Sequence, residues 1–256
     1  MKTSGNTILI TGGASGIGRE LAERFQAQGN TVIIAGRRRD RLDAVTEANP
    51  GMVGYVLDVE DKAGIDAFAA TVIAAHPDLN VLINNAGIML FEDLTRSREL
   101  ADAEAMVTTN LLGPIRLTNA LIDHLSAQPD AAVVNVSSGL AFVPLVSTPT
   151  YSATKAAIHS YTVSLRDALK GRVEVIELVP PAVQTELTPG QSTREGYMPL
   201  GDFMDEVMML FATQPTPPEI LVERVGFLRF AESEKRFDQA LATVNDFANK
   251  ARAEQH

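Results

Sequence analysis

The sequence predicts an α/β fold in which a parallel sheet carries helices on both faces. Short apolar runs alternate with longer stretches of helical period along the 256 residues. Several runs are apolar at nearly every position, as expected for strands that helices cover on both faces, and the stretches between them are long enough for crossover helices. A turn rich in glycine follows the first run. Together these patterns predict a doubly wound sheet.

Six apolar runs are the candidate strands. They are Thr7 to Thr11, Thr31 to Ala35, Met52 to Leu57, Val81 to Ile83, Ala131 to Val136 and Val173 to Val179. The later stretches Pro218 to Phe230 and Arg236 to Phe247 have helical period, and the tail Asn249 to His256 is polar. We therefore expect six strands, with seven as the alternative.

The domain organisation is simple. No internal repeat, low-complexity tract or flexible linker divides the chain, so we expect one domain over residues 1–256. Thr188 to Leu200 contains two prolines and two glycines, which predicts a long loop. Loops of this kind often carry function, and we assign residues 188–230 to a substrate loop and lid region.

The composition disfavours several classes of protein. Hydrophobic residues make up 45% of the chain and charged residues 21%, which is ordinary for a globular protein. No apolar run is long enough to span a bilayer, and the run after Met1 is too short for a signal peptide, so we expect a cytoplasmic protein without a membrane partner. The net charge of −10 disfavours nucleic acid as a partner, and the absence of cysteine excludes disulfides.

The turn after the first strand candidate reads Thr11-Gly12-Gly13-Ala14-Ser15-Gly16-Ile17-Gly18, and an amphipathic helix follows it. Glycine lets the backbone approach a pyrophosphate, and the free amides of a helix N-terminus stabilise its charge. Arg19 and Glu20 stand where a P-loop needs lysine and serine or threonine, which disfavours ATP. Close packing of the helix on the strand is the alternative explanation. If a dinucleotide binds, the contacts come from Gly12, Ser15, Gly16, Ile17 and Gly18.

The second strand candidate ends in Gly36-Arg37-Arg38, where such folds commonly have a carboxylate for the adenine ribose. A guanidinium suits the 2′-phosphate that distinguishes NADP from NAD, so the sequence predicts NADP(H) with Arg37 as the first ligand and Arg38 as the second. A solvated helix start is the alternative. Asp58, which follows the third strand candidate together with Val59, is either a partner of the adenine amino group or a helix cap.

The candidate catalytic residues are Tyr151 and Lys155, which lie four apart at the start of a stretch of helical period. Residues at this spacing share one helix face. The ammonium is expected to lower the pKa of the phenol and make it a usable proton carrier. The pattern alone is more often an exposed helix face. Its significance comes from Ser138, which follows the fifth strand candidate, and from Asn85-Ala86-Gly87, which follows the fourth.

These motifs, together with Asn110, resemble those of the classical short-chain dehydrogenase/reductases. The resemblance covers about Thr7 to Thr185, and the motifs occur in the family's order, with the serine thirteen positions before the tyrosine. It implies a Rossmann-like fold and an NADP-dependent oxidoreductase that acts on a small-molecule ketone or alcohol.

The resemblance also implies a role for each catalytic residue. Tyr151 is then the general acid in reduction and the base in oxidation, and Ser138 holds the carbonyl oxygen. Lys155 binds the nicotinamide ribose, and Asn110 completes the tetrad. Pro114 supports a role for Asn110, because proline has no amide hydrogen to donate to the carbonyl four residues earlier if the helix is continuous. That carbonyl is then free to bind a water molecule.

Two regions depart from the family pattern. After the sixth strand candidate the chain has Pro180-Pro181-Ala182-Val183-Gln184-Thr185 where the family commonly has Pro-Gly, and here we expect cofactor contacts from Pro181, Val183 and Thr185. The family's seventh strand is also hard to find. The two prolines and the Ile220 to Val225 segment resemble a branch of oxidoreductases named after lipoteichoic acid D-alanylation. That name does not establish a substrate.

Other functions fit the sequence less well. The four histidines have no ligand spacing and no cysteine beside them, so we expect surface histidines and no metal site. The serines at 137 and 138 lack the first glycine of a hydrolase elbow. The serious alternative to an enzyme is an NADPH-binding sensor or regulatory scaffold on the same fold, which would bind the cofactor without turning over any carbonyl.

Two further expectations concern the quaternary structure and the substrate. The family usually pairs helices like those around Glu99 to Leu125 and Ser152 to Leu169, and its second usual interface uses the seventh strand, so we expect a homodimer rather than a tetramer. The predicted pocket walls are apolar, which indicates a neutral, hydrophobic ketone or secondary alcohol. They are Ile88, Met89, Leu90, Leu140, Phe142, Leu145 and Met198 to Met209, and ordinary core packing is the alternative for each.

Overall fold

A computed structural model describes residues 1–253 of the chain. The strands are β1 (Thr7–Thr11), β2 (Thr31–Gly36), β3 (Val53–Val56), β4 (Leu79–Asn84), β5 (Ala132–Val136), β6 (Glu174–Val179) and β7 (Glu219–Leu221). The helices are α1 (Gly16–Ala27), α2 (Arg39–Ala48), α3 (Lys62–Ala75), α4 (Ala101–Val107), α5 (Gly113–Ser126), α6 (Pro149–Ala168), α7 (Leu200–Ala212), α8 (Gly226–Arg229) and α9 (Phe237–Ala253). His256 lies outside the described residues.

The seven strands form one parallel sheet in the order β3-β2-β1-β4-β5-β6-β7. Alternate side chains of each strand enter different cores, because successive residues of a strand point to opposite faces. In β1, Ile8 and Ile10 belong to the core that includes α1 and α7, and Leu9 belongs to the core under α3 and α5. The sequence prediction of a doubly wound Rossmann-like fold is confirmed.

The expectation of six strands was wrong. The segment that we interpreted as helical from Pro218 contains β7, which pairs in parallel with β6. The strand has three residues, of which only Ile220 is fully buried, so its apolar run is too short to distinguish a strand from a helix by period. Because β7 exists, the reason we gave for a dimer rather than a tetramer no longer holds.

The expected long loop from Thr188 to Leu200 is tied to the loop that follows β6. Met198 donates its amide to the carbonyl of Ala182, and Gln184 donates its amide to the carbonyl of Met198. One turn of 3₁₀-helix covers Gln191–Thr193. The segment is therefore held by backbone hydrogen bonds in addition to its side chains.

The apolar residues at the start of α7 are core residues, which corrects their assignment as pocket walls. Phe203, Met204 and Val207 are fully buried in the core that includes α1, and Phe211 packs edge to face on Phe25 at 5.5 Å between ring centroids. Packing of α7 against α1 thus explains these apolar residues. No helix within residues 1–253 is long and apolar enough to cross a membrane.

We predict that Gly18→Ala destabilises the protein. A methyl group on Gly18 would lie 2.4 Å from the carbonyl oxygen of Gly12 and 2.4 Å from Nδ2 of Asn85. Overpacking of this kind costs about 1–3 kcal/mol, and here the neighbouring backbone cannot move freely. The free energy of unfolding, measured by chemical denaturation, should fall by that amount.

The matched control is Gly201→Ala. Gly201 lies in the first turn of α7, and nothing lies within 4 Å of the position that its Cβ would take. Alanine favours the helix by about 1 kcal/mol over glycine, so this variant should be as stable as the parent or more so. Equal stability of Gly18→Ala and Gly201→Ala would contradict the packing described for the glycine turn.

Candidate active site

The candidate active site is a cavity of about 400 Å³ at the carboxyl ends of β1, β4, β5 and β6. The sheet reverses its winding between β1 and β4, and this is where open α/β sheets bind ligands. The predicted site residues that line the cavity are Gly12, Ser15, Gly16, Ile17, Arg37, Arg38, Val59, Asn85, Ala86, Gly87, Ser138, Tyr151, Lys155, Pro181, Val183 and Thr185. Gly18, Asp58 and Asn110 lie outside this lining.

The glycine turn forms the floor of one end of the cavity. Gly12 and Gly16 have φ angles of +67° and +52°, a region that disfavours residues with a Cβ. Nδ2 of Asn85 donates to the carbonyl of Thr11 at 2.9 Å, and the hydroxyl of Thr11 accepts the amides of Asn85 and Ala86, both at 3.0 Å. These bonds join β1 to β4, and they leave the first amides of α1 directed at the cavity.

The two arginines after β2 are exposed at the same end of the cavity. Arg37 forms an ion pair with Glu60, with 3.3 Å between Nη1 and Oε1, and the same oxygen accepts the hydroxyl of Thr109 at 2.7 Å. Glu60 and Thr109 both line the cavity, and we did not predict either from the sequence. A side chain at the start of a loop gives no periodic signal, so only the fold could bring Glu60 to Arg37.

Asp58 has the contact expected of a turn or cap residue. Its carboxylate accepts the amide of Glu60 at 3.0 Å, and the side chain is exposed. This contact fits the structural alternative, in which an aspartate satisfies a nearby backbone amide. Its neighbour Val59 is buried and lines the cavity.

Tyr151, Ser138 and Lys155 come together at the other end of the cavity. The phenol of Tyr151 is hydrogen-bonded to Ser138, and Nζ of Lys155 lies 5.6 Å from the centroid of the tyrosine ring. Nζ also donates to the carbonyl of Val136 at 2.8 Å. All three side chains are at most 8% exposed. The spacing of four on α6 thus places the tyrosine and lysine on one face, as the sequence indicated.

The pKa values of the pair differ from the sequence expectation. Burial raises the pKa of Tyr151 to about 12, and the hydrogen bond with Ser138 opposes this rise. Burial lowers the pKa of Lys155 to about 8, and the negative charge of Glu177 opposes that fall. We expected the ammonium to lower the pKa of the tyrosine, but loss of water around the phenol outweighs any such effect.

Asn110 lies in a π-helical segment, Thr108–Leu112, between α4 and α5. The amide of Gly113 donates to the carbonyl of Thr108, five residues back, so the helix is not continuously α-helical here. The Asn110 side chain is buried, where it accepts the amide of Ile88 and donates to its carbonyl, both at 2.8 Å. Asn110 therefore fixes the loop after β4, while the water bound by its own carbonyl stays a prediction.

The loop after β6 closes the cavity beside Tyr151. Val183 and Thr185 are buried, and Nε2 of Gln191 donates to the Val183 carbonyl at 2.8 Å and to the Thr185 hydroxyl at 3.2 Å. Glu186, Leu187 and Gln191 also line the cavity and were missing from our predictions. Their contacts depend on the return of the 188–200 segment, which no local pattern reveals.

Ser137 lines the cavity beside Ser138 and was absent from our predicted site residues. Its hydroxyl is buried and has no hydrogen-bond partner among the described residues.

Comparisons with known proteins identify the family of the chain and several relatives. Residues 6–196 match the family described as short chain dehydrogenase. A relative from Bacillus subtilis (strain 168), named uncharacterized oxidoreductase DltE, is 39% identical over 254 residues, which span 97% of this chain and 100% of the relative. A short-chain dehydrogenase structure from Streptomyces avermitilis is 26% identical, with a TM-score of 0.80 over 99% of this chain and 100% of that one. A serine dehydrogenase complexed with NADP⁺ is 26% identical, with a TM-score of 0.73 over 81% of this chain and 89% of that one.

The fold, the cavity and these matches define the class of protein as an oxidoreductase with a Rossmann-like domain. The chain belongs to the short-chain dehydrogenase family, as the match over residues 6–196 and the relative that is 39% identical show.

Proposed function

We propose that the protein is an NADPH-dependent carbonyl reductase and secondary alcohol dehydrogenase, with Tyr151 as the general acid and base. The observation that carries this proposal is the buried group of Tyr151, Ser138 and Lys155 at one end of a cavity whose other end is a glycine turn with two arginines beside it. The dinucleotide and the reacting carbonyl thus have separate ends of one site.

The residues of the glycine turn and the two arginines after β2 suit the phosphate groups of a dinucleotide. Gly12 and Gly18 leave no room for a Cβ, so the turn offers its amides to a pyrophosphate at close range. Arg37 and Arg38 offer guanidinium groups to a 2′-phosphate, with one carboxylate, that of Glu60, beside Arg37. A related serine dehydrogenase structure is complexed with NADP⁺, which supports the assignment.

When bound, the nicotinamide supplies the hydride for reduction or accepts it in oxidation. The chain's own residues handle the proton. Ser138 donates a hydrogen bond to the carbonyl oxygen of the substrate, and the phenol of Tyr151 donates its proton to the same oxygen as the alcohol forms. Lys155, charged below a pKa of about 8, stabilises the phenolate that remains.

The pKa of Tyr151 suits its role as the acid in reduction. A phenol with a pKa of about 12 is protonated at neutral pH and is ready to donate its proton. In oxidation, the positive charge of the oxidised nicotinamide would lower the pKa of the tyrosine and favour the phenolate that acts as the base.

For the substrate we propose a neutral, hydrophobic ketone. Among the described residues that line the cavity, Arg37, Arg38 and Lys155 are the cations, and both arginines lie at the end distant from Tyr151. Ile88, Val183 and Leu187 supply apolar surface to the cavity lining, and Glu186 supplies a negative charge. A carboxylate on the substrate would therefore meet the negative charge of Glu186, and neither arginine of the lining lies near Tyr151 to bind it.

We also propose a cytoplasmic homo-oligomer that self-associates through the exposed faces of the helices from α4 to α6. Val107 and Val163 are 37% and 47% exposed, although both are apolar. Pairing of these faces between two copies would bury them. The dimer is the smallest assembly that achieves this.

Tyr151→Phe should abolish ketone reduction and leave NADPH binding nearly unchanged. The substitution removes the proton donor, and general acid catalysis normally supplies about 10²-fold or more of the rate. Single-turnover reduction and the dissociation constant for NADPH measure the two effects separately. Retention of more than about a tenth of the rate would show that the proton comes from another group.

Arg37→Ala should weaken NADPH binding and leave NADH binding unchanged. A charged hydrogen bond is worth about 1.5–3 kcal/mol, which corresponds to a loss of about ten- to a hundredfold in affinity. The matched control is Arg39→Ala, because Arg39 is an exposed arginine whose partner is Asp43 on the same helix. Equal losses for NADPH and NADH, or equal effects of the two variants, would contradict the role of Arg37.

A panel of ketones matched in size and differing in charge tests the substrate class. We expect kcat/KM to be highest for the neutral member and lowest for the carboxylate, by about tenfold or more, because Glu186 faces the same cavity. Arg194, whose guanidinium lies 5.2 Å from the ring centroid of Tyr197, is the nearby cation to vary. The highest kcat/KM for a carboxylate, with the gain lost in Arg194→Ala, would refute the neutral-substrate proposal.

A further inference from the structure

A row of polar side chains crosses the sheet underneath the catalytic helix α6. Asn84 of β4 pairs in register with Asn135 of β5, Asn135 with Glu177 of β6, and Glu177 with Glu219 of β7. Nδ2 of Asn84 donates to Oδ1 of Asn135 at 2.9 Å, and Nδ2 of Asn135 donates to the hydroxyl of Thr162 on α6, also at 2.9 Å. Residues in register on parallel strands share a face, so Glu177 lies on the α6 side of the sheet.

Glu177 is an unusual residue to find at this position. Its side chain is completely buried, one carboxylate oxygen lies 2.8 Å from Nδ1 of His159, and the other has no hydrogen-bond partner among the described residues. A buried carboxylate is costly unless charges nearby compensate it. An apolar residue would pack in the same place without this cost, so the stability of the fold does not explain why Glu177 is present.

The charged groups around Glu177 come from three elements. Lys155 and His159 lie four residues apart on α6, one turn and two turns after Tyr151, so all three share one helix face. Glu219 on β7 is held by Arg229 of α8 through two bonds of 2.9 Å. His159, Glu177 and Glu219 bring ligand atoms within 4.8 Å of one another, but the guanidinium already balances Glu219. The charge of Glu177 acts on both Arg229 and Lys155, but Arg229 is also paired with Glu219, so Lys155 is the cation for which Glu177 is the carboxylate.

We propose that Glu177, oriented by His159, is a positioning residue that keeps the buried ammonium of Lys155 charged during reduction. Burial lowers the pKa of Lys155 and the charge of Glu177 raises it, which agrees with this role. The side chain of His159 is 26% exposed, and its ring centroid lies 4.8 Å from that of Phe142. His159 therefore lies between the buried carboxylate and the protein surface. Neither residue touches the reacting atoms. The inference rests on the proposed function of Lys155.

The test is to measure the pKa of Lys155 directly in the protein without cofactor. Lysines labelled with ¹³C at Cε are titrated by NMR, and Lys155→Met assigns the signal of Lys155. Glu177→Gln should lower the pKa of Lys155, because the negative charge that favours the ammonium is lost. Glu174→Gln is the matched control, since it removes an exposed carboxylate from the start of the same strand, and it should leave that pKa nearly unchanged.

The pH profile of ketone reduction gives a second readout. The folded pKa of Lys155 lies below its ordinary value, so the ammonium is lost as the pH rises through about 8. Glu177→Gln should move this loss to lower pH, and the ratio of kcat/KM at about pH 9 to that at about pH 7 should fall by about threefold or more. His159→Gln should keep the parent profile, because its amide can donate to the same carboxylate oxygen.

If Glu177→Gln does not fold, it cannot test the inference. His159→Leu then provides an independent test. It removes, at a partly exposed position, the hydrogen bond that orients the Glu177 carboxylate, so the carboxylate should no longer be held in place for Lys155. The pKa of Lys155 should fall as in Glu177→Gln. An unchanged pKa of Lys155 in every folded variant would overturn the inference. Turnover by Tyr151→Phe would overturn the proposed function and leave this pKa result standing.

Discussion

The burial of Lys155 is the constraint on which the rest of the site depends. Its ordinary pKa is 10.5 and its pKa in the fold is about 8, so a cost of about 3 kcal/mol for the charged form remains after Glu177 has offset part of the effect of burial. A protein of ordinary stability can tolerate such a cost only if neighbouring groups limit it. The carbonyl of Val136 and the charge of Glu177 do so here. Tyr151 is also buried, and its high pKa keeps it neutral until it gives up its proton.

The geometry that brings Lys155 to the cavity follows from the carboxyl edge of the sheet. β5 supplies the Val136 carbonyl and then Ser138, and α6 returns across that edge with Tyr151 and Lys155 one turn apart. On the other side of the cavity, the glycines after β1 allow α1 to start within contact distance of Asn85. The two halves meet because β1 and β4 are neighbours in the sheet. The topology of the sheet thus brings motifs that are distant in sequence together in one site.

Much of this arrangement could be predicted from the sequence, and the reason is that the signals are local. The buried strands β1, β2, β4, β5 and β6 are apolar at most positions, and the glycine turn and the Tyr151 to Lys155 spacing are local in the sequence. Residues whose role depends on pairing between distant elements were missed. Glu60 reaches Arg37 across the ends of β2 and β3, and β7 has three residues whose identity as a strand comes from pairing with β6. The sequence also could not show that burial outweighs charge at Tyr151.

The histidines illustrate the same limit and its physical cause. We expected surface histidines, but His76 is hydrogen-bonded to the hydroxyl of Tyr55 at 3.0 Å, and His159 to the fully buried Glu177 at 2.8 Å. Glu177 interrupts the apolar run of β6, in which every residue from Val175 to Val179 is buried. This sheet has helices on both faces, so the charge must enter the interior. A buried charge placed beside a buried catalytic lysine weakens the fold, and its presence is better explained by the chemistry of the site than by stability.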